Sequence, residues 1–179
     1  MRNDTPHAVL AKQRARDGRG PARFSSRRGK RMKRILVITG ALLLSIGAVI
    51  AQQDVANQTQ TTMKATGRAL GAVLTPMVKG EKPYDQAAVD TALGQLEDTA
   101  KKLPTMFPES IKGVKIEGDY SSSPKIWEDK AGFAAKIESF GKVVTEAKAK
   151  IKDLDSLKAN VPAVGKECGG CHETFRLKI

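Results

Sequence analysis

The chain has 179 residues, with 31 Lys or Arg against 19 Asp or Glu and a formal net charge of +12. Residues 1–51 contain 12 Lys or Arg and 2 Asp, a net of +10, whereas residues 52–179 contain 19 Lys or Arg and 17 Asp or Glu, a net of +2. The larger part of the chain therefore lacks the strong positive field of a nucleic-acid-binding protein, and its charge gives no support to that class of function.

Residues 32–51 have the pattern of a secretory signal peptide. A basic start at Met32 is followed by an apolar run of about sixteen residues, and Val49 and Ala51 suit the positions before a cleavage site. We expect cleavage after Ala51, so that the exported protein begins at Gln52. A retained membrane anchor is the alternative, because the apolar run is only just shorter than a bilayer span.

Residues 1–31 form a basic leader with few apolar residues. The leader is longer than the basic region of a signal peptide, and Met32 would begin a complete signal peptide by itself. We therefore expect either that the true start is Met32 or that the leader is disordered.

Hydrophobic periodicity in residues 52–179 predicts one all-α domain that is long enough for its own core. Apolar residues recur at intervals of three and four, which predicts helices over residues 54–78, 85–103, 123–151 and 155–177. The connection over residues 104–123 is predicted to be a loop with room for a short helical turn. Because the other connections are short, the helices are expected to form an antiparallel four-helix bundle.

Single residues predict further details of these helices. Leu70 and Val73 lie on the predicted inward face of the first helix. Ser123 is expected to cap the third helix, with Pro124 at its first helical position. Pro162 is expected to interrupt and bend the fourth helix.

The most informative stretch is a C-x-x-C-H motif close to the C-terminus, formed by Cys168, Cys171 and His172. Two thiols with two residues between them can form thioethers with the two vinyl groups of one haem, and the adjacent histidine can bind its iron. The motif therefore predicts one covalently bound haem c, attached through Cys168 and Cys171, with His172 as the proximal iron ligand.

Three other roles for the two cysteines have less support in the sequence. A zinc site needs two more Cys or His ligands, but the only other histidine is His7. A thioredoxin-like redox motif needs a βαβ setting, which the helical pattern does not provide. A structural disulfide would close a very small loop and add little stability.

The opposite side of the iron has several candidate ligands. His172 is the sole histidine once the leader is removed, so the candidates are Met63, Met77, Met106, a lysine or no residue at all. In an antiparallel bundle Met63 lies level with His172, whereas Met77 lies about 21 Å further along the helix axis. Met106 follows the second helix at the same end of the bundle and is less easily excluded. From the pattern alone, Met63 is equally a ligand or ordinary core packing.

Residues 52–179 closely resemble the class II c-type cytochromes, the cytochrome c' family. The resemblance rests on the pattern C-x-x-C-H-x-x-[FY]-R over residues 168–176, on the turn over residues 78–85 and on the segment over residues 124–127. It implies a four-helix bundle with covalently attached haem.

Within that family the chain is most similar to the low-spin cytochrome c-556 branch, in its residues 52–54 and 62–64. This resemblance implies that Met63 is the sixth iron ligand and that the protein is a periplasmic monohaem electron carrier rather than an enzyme. High-spin members of the family carry a non-ligand residue there, and their vacant site binds NO or CO. Gas binding is therefore the alternative function, and weak peroxidase activity at an open distal site is a third.

The expected partners are redox proteins of unknown identity, with no nucleic acid and no membrane after signal cleavage. Because residues 52–179 carry a net charge of only +2, docking would depend on a local patch around the haem edge. Candidates for that patch are Lys166, Arg176 and Lys178. The family resemblance also allows a homodimer through the first and second helices.

Overall fold

The computed structural model of the chain describes residues 49–118 and 120–178. The predicted basic leader lies outside the described residues, and so does the predicted signal peptide except for residues 49–51, which are helical. Within the described part of the chain, no helix combines the length and the apolar character that a membrane span requires.

Five helices and two short strands make up the described chain. Helix α1 covers residues 49–78, and the elements after it are α2 (Gln86–Lys102), β1 (Tyr120–Ser122), α3 (Lys125–Glu128), α4 (Lys130–Lys150), α5 (Leu154–Phe175) and β2 (Arg176–Lys178). Two short 3₁₀ turns, Leu103–Thr105 and Glu109–Ile111, lie in the segment that was predicted to be mainly loop.

The four long helices α1, α2, α4 and α5 pack together, with α4 against both α2 and α5 and α1 against both α2 and α5. This arrangement confirms the predicted all-α four-helix bundle. Between the helices lies the main core, whose fully buried side chains are Leu74, Val89, Leu93, Leu96, Val144, Ile151, Leu157 and Val164. A second cluster lies at one end of the bundle and contains Ala56, Ile111, Ile126, Trp127 and Phe175.

Helix α1 contains a π-helical segment, Ala69–Leu74, that the sequence pattern did not predict. In this segment the N–H of Thr75 bonds to the carbonyl of Leu70, five residues earlier. The wider turn rotates the inward face, so that Ala69 and Leu74 are buried whereas Leu70 and Val73, which were predicted to face inward, are only half-buried. A π turn adds one residue to the helical repeat and therefore breaks the regular spacing on which the prediction depended.

The predicted third helix is divided at Asp129. The hydroxyl of Ser123 accepts a 3.3 Å hydrogen bond from the N–H of Lys125 at the start of α3, but α3 ends after one turn. Asp129 has a non-helical backbone (φ −116°, ψ 67°), and its carboxylate accepts a 2.9 Å bond from the N–H of Gly132, the third residue of α4. The aspartate thus acts as an N-cap within the predicted helix.

Helix α5 begins with a capping box and continues through Pro162. The side chain of Asp153 accepts from the N–H of Ser156, and the Ser156 hydroxyl accepts in turn from the N–H of Asp153. The interruption predicted at Pro162 is absent, because the helix is continuous from Leu154 to Phe175. Pro162 is exposed, so water can satisfy the carbonyl that its missing N–H leaves without a donor.

The strands β1 and β2 form a small antiparallel ribbon in which Ser121 pairs with Leu177. The ribbon joins the loop before α3 to the residues that directly follow α5. Three-residue strands give no usable period in a sequence, so this pairing could not be predicted from hydrophobic alternation.

Candidate haem site

The motif residues Cys168, Cys171 and His172 lie on the last two turns of α5. Their spacing of three and four residues places them on one side of the helix, and all three are half-buried. Cys168 packs against the main core, whereas Cys171 packs against the second cluster. The motif therefore lies where the two apolar clusters meet.

Both cysteines are free thiols, and no disulfide joins them. Burial raises the pKa of Cys168 from 9.0 to about 11, and the neighbouring Cys171 adds to the rise. Burial also raises the pKa of Cys171, although the ammonium of Lys136 opposes this effect. Both thiols are consequently protonated at neutral pH in this environment.

The imidazole of His172 is half-buried and is affected by the positive charge of Arg176. Burial lowers the pKa of His172 below its usual 6.5, and the charge of Arg176 lowers it further. The neutral imidazole is thus favoured, and this is the form that binds a metal ion. Among the residues that the structure describes, no group of three or more His, Cys, Asp or Glu side chains could hold a metal ion by itself.

Met63 lies on α1 and is half-buried against the main core, the same cluster that Cys168 contacts. On the same face of α1, one turn before and one turn after it, are the buried threonines Thr59 and Thr66. The Thr66 hydroxyl lies 2.9 Å from the hydroxyl of Thr99 on α2. The segment that carries Met63 is therefore linked to the last part of α2.

The other two candidate methionines are placed differently. Met77 is 4% exposed in the main core, at the far end of α1. Met106 follows the 3₁₀ turn after α2 and is half-buried, and its carbonyl accepts a 2.8 Å bond from the hydroxyl of Thr59. Met106 is thus at the same end of α1 as Met63. The bond from Thr59 restrains its backbone, although the residue lies in a loop.

Several apolar side chains beside the motif are only partly covered by protein. Those that are half-buried are Met63, Phe133, Ile137, Cys168 and Cys171. They contrast with the fully buried side chains of the main core, such as Leu93 and Val164. A large apolar group held by the motif would cover the half-buried side chains, so the residues present fit a haem.

A cavity of about 600 Å³ opens at this end between α4 and the segment after α2. Its apolar wall includes Phe107, Trp127, Phe133 and Ile137, and its volume is typical of a small-molecule site (about 300–1,000 Å³). The ring of Phe133 lies 5.4 Å from that of Phe107 and 5.0 Å from that of Phe175. Phe133 thereby connects the cavity wall to the helix that carries the motif.

The β ribbon fixes the end of the motif helix. The carbonyl of Phe175 accepts a 3.0 Å bond from the N–H of Ser123, directly after the last turn of α5. The guanidinium of Arg176 lies 4.1 Å from the ring centroid of Tyr120, in a cation–π contact. These contacts restrain the three residues between His172 and the ribbon.

Two further contacts at this end of the bundle, besides those of the ribbon, were not predicted from the sequence. They are the bond from Thr59 to Met106 and the approach of Lys136 to the motif helix. Both join residues that are far apart in the chain, and neither pair forms a recognisable motif. In the sequence Lys136 lies between Phe133 and Phe140, which marks an unusual position for a charge but does not indicate its partner.

Comparison with known proteins identifies the family. Residues 54–176 match the protein family described as Cytochrome C'. The chain is 54% identical over 148 residues to cytochrome c-556 of Rhodopseudomonas palustris, covering 82% of this chain and 99% of that protein. It is 41% identical over 145 residues to cytochrome c' of the same organism, covering 81% of this chain and 97% of that protein.

The fold agrees with this assignment. The chain superposes on the NMR-validated structural model for oxidized R. palustris cytochrome c556 with a TM-score of 0.63 and 55% identity, over 71% of this chain and 98% of that one. The chain therefore belongs to the cytochrome c' family of class II c-type cytochromes, whose members carry covalently attached haem c.

Proposed function

We propose that this protein is an exported monohaem electron carrier, and not an enzyme, with a low-spin haem. Cys168 and Cys171 would hold the haem through two thioethers, His172 would bind the iron on the proximal side and Met63 on the distal side. When bound, the haem iron takes up and releases one electron. The protein residues attach the group, choose its axial ligands and exclude water from it.

The observation that carries this proposal is the relation between Met63 and Cys168. The two side chains pack against the same core cluster from antiparallel helices, α1 and α5. Met63 also lies between two threonines that are bonded to groups at or beyond the end of α2. A thioether on a helix restrained in this way is a suitable ligand, because a weak ligand needs a fixed position.

Each axial residue has a definite effect on the iron. The lowered pKa of His172, caused mainly by burial, keeps the imidazole in its ligand form. A methionine thioether favours ferrous iron and therefore raises the reduction potential. Binding of both His172 and Met63 would keep the iron low-spin, so that little structural change would accompany electron transfer.

Gas binding at a vacant distal position is the second candidate function. One observation favours it: Met63 contacts the main core, as a methionine that only fills space would. The chain is also similar to a protein named cytochrome c' as well as to one named cytochrome c-556. In this case Met63 would be a packing residue, and the iron would have five ligands.

Export to the periplasm is part of the proposal. The helical residues Val49 and Ile50 are 64% and 57% exposed, which is unusual for large apolar side chains. This exposure suits a segment that is removed by cleavage after Ala51. The part removed would include residues 32–51 and any translated leader.

The proposed partners are redox proteins that dock near the motif end of the bundle. Lys166, Arg176 and Lys178 are all exposed, as a docking patch requires. Arg176 is partly engaged, since it stacks on Tyr120. The proposed partners do not include nucleic acid. Measurement of the molar mass in solution distinguishes a monomer from a homodimer.

A spectroelectrochemical titration of the purified haem protein tests this function. We expect a single reversible one-electron step whose midpoint is unchanged by saturating CO, because Met63 would hold the sixth position of the ferrous iron. A ligand that binds only the ferrous form stabilises that form and raises the midpoint. A clear rise in the midpoint under CO would therefore contradict the electron-carrier proposal and favour the vacant site.

A further inference from the structure

Lys136 on α4 places a cation beside the C-x-x-C segment. Its ammonium nitrogen lies 3.4 Å from the position that a Cβ atom would occupy on Gly170. Gly170 is one of the two residues between Cys168 and Cys171. The charge therefore lies beside the backbone that connects the two haem-attachment positions.

The neighbouring charges do not neutralise this cation by direct pairing. In the described part of the chain no carboxylate forms an ion pair with Lys136, whereas Lys130 and Lys150 on the same helix pair with Glu109 and Glu146. Lys136 is also half-buried, unlike those two exposed lysines. A partly buried charge is screened less by salt than an exposed one.

We propose that Lys136 raises the reduction potential of the attached haem by holding a positive charge beside its attachment segment. Reduction adds one electron to the iron centre, so a nearby cation stabilises the ferrous form more than the ferric form. The step is a simple electron uptake in which no bond to Lys136 forms or breaks. The inference rests on the proposed attachment at Cys168 and Cys171, but it is independent of the role of Met63.

Gly170 itself does not control this contact. A Cβ atom at this position would lie 3.4 Å from the Lys136 ammonium, which is an ordinary van der Waals distance. Gly170→Ala should therefore leave the ammonium in place and the reduction potential close to that of wild type.

The test is the midpoint potential of the holoprotein in three lysine variants. Lys136→Gln should lower the equilibrium constant for reduction at least threefold, about 28 mV for a one-electron couple. Lys136→Arg, which keeps the charge, should stay close to wild type. Lys142→Gln is the matched control, because Lys142 is an exposed residue of the same helix and its loss changes the net charge equally.

Measurements at high salt distinguish the effect of a nearby charge on the reduction potential from the effect of the net charge of the protein. In 0.5 M salt the effect of Lys136→Gln should persist, whereas any small effect of Lys142→Gln should disappear. Equal potentials for the two glutamine variants would overturn the inference. A shift in Lys136→Gln that comes with a changed spin state would also overturn it, because the ligation of the iron would then have changed.

The test of Lys136 and the test of the proposed function can fail independently of each other. If the wild-type haem is high-spin, the assignment of Met63 fails, but the comparison of Lys136→Gln with Lys142→Gln still measures the effect of the charge. If the haem is low-spin and the two variants agree, the inference about Lys136 fails alone.

Discussion

The hydroxyl of Thr59 donates a 2.8 Å hydrogen bond to the carbonyl of Met106, which joins α1 to the segment after α2. This bond holds the backbone of Met106 one turn from Met63. Two methionines therefore lie at the motif end of the bundle. Substitution of each one in turn shows which of them is the distal ligand.

Met106→Ala should leave the haem low-spin. The substitution removes a half-buried side chain, so we expect the free energy of unfolding to fall by roughly 1–2 kcal/mol without a change in the absorption spectrum. Thr59→Val is the matched change, because it removes the bond to Met106 but keeps the methionine. A high-spin spectrum in Met106→Ala alone would make Met106 the ligand.

Met63→Ala should convert a six-coordinate low-spin haem into a five-coordinate high-spin one that binds CO readily. Loss of the thioether should also lower the reduction potential. Covalent attachment should persist, since it depends on Cys168 and Cys171. Absorption spectra of both oxidation states, with and without CO, provide the measurement.

Met77→Ala is the control for that substitution. Met77 is buried in the main core at the far end of α1, so its truncation should cost about 2–5 kcal/mol of stability and leave the spectrum unchanged. The assignment of Met63 is wrong if Met63→Ala stays low-spin, whereas the haem attachment would be unaffected by that result.

The hydroxyl pair of Thr66 and Thr99 should behave as a coupled unit. Thr66→Val or Thr99→Val should each destabilise the protein by about 1 kcal/mol, since each breaks a buried bond between α1 and α2. The double variant should cost less than the sum, with a coupling of about 0.5–1 kcal/mol in denaturant unfolding. Thr91→Val, which alters an exposed hydroxyl, is the control.

Strict additivity of the two substitutions would contradict the link between the helices. A normal coupling energy combined with a partly high-spin spectrum would show in addition that the pair positions the segment carrying Met63.

The main helices could be predicted because their apolar spacing and end signals are local. Asp85 was expected to begin α2, and its carboxylate does accept a 3.2 Å bond from the N–H of Ala88. The π turn of α1 and the break at Asp129 were missed because each departs from the regular repeat by a single residue. At Asp129 the departure comes from a local cap, the 2.9 Å bond that its carboxylate accepts from the N–H of Gly132.

The candidate site likewise combines residues that a local motif predicts with contacts that form only between distant parts of the chain. Cys168, Cys171 and His172 lie within five consecutive residues, and their spacing alone indicates haem attachment. Their role could therefore be predicted from the sequence, and it remains a prediction. The contacts of Thr59 with Met106 and of Lys136 with Gly170 arise only in the folded chain. A sequence pattern cannot indicate them because the partners are more than thirty residues apart.

The capping box of α5 should make stability depend on pH below about 4. Hydrogen bonds from the side chain and backbone of Ser156 hold the pKa of Asp153 below its usual 3.8. The stabilising effect is therefore complete above pH 3.8 and is lost as the pH falls through the lower, folded-state pKa. Asp153→Asn keeps a cap acceptor but cannot titrate, so its thermal midpoint should vary less between pH 5 and 2.

Asp153→Ala removes the cap itself. Its thermal midpoint should be lower by a few degrees at neutral pH, whereas Asp155→Ala, which alters a neighbouring acid, should change it little. Equal midpoints for the two alanine variants would show that the capping box does not stabilise α5.

Export and processing should yield a protein that begins at Gln52. Intact-mass measurement of the haem protein isolated from the periplasmic fraction would detect this species. A mass that includes residues 32–51 would indicate a retained anchor, and one that includes residues 1–31 would contradict a start at Met32.

The absorption spectrum of the wild-type holoprotein tests the central claim most directly. With Met63 and His172 both bound to iron, we expect low-spin spectra in the oxidised and reduced states and no rapid change when CO is added to the reduced protein. A high-spin spectrum followed by rapid CO binding would contradict the account, since it would show that Met63 is not a ligand and that the distal position is open to gases.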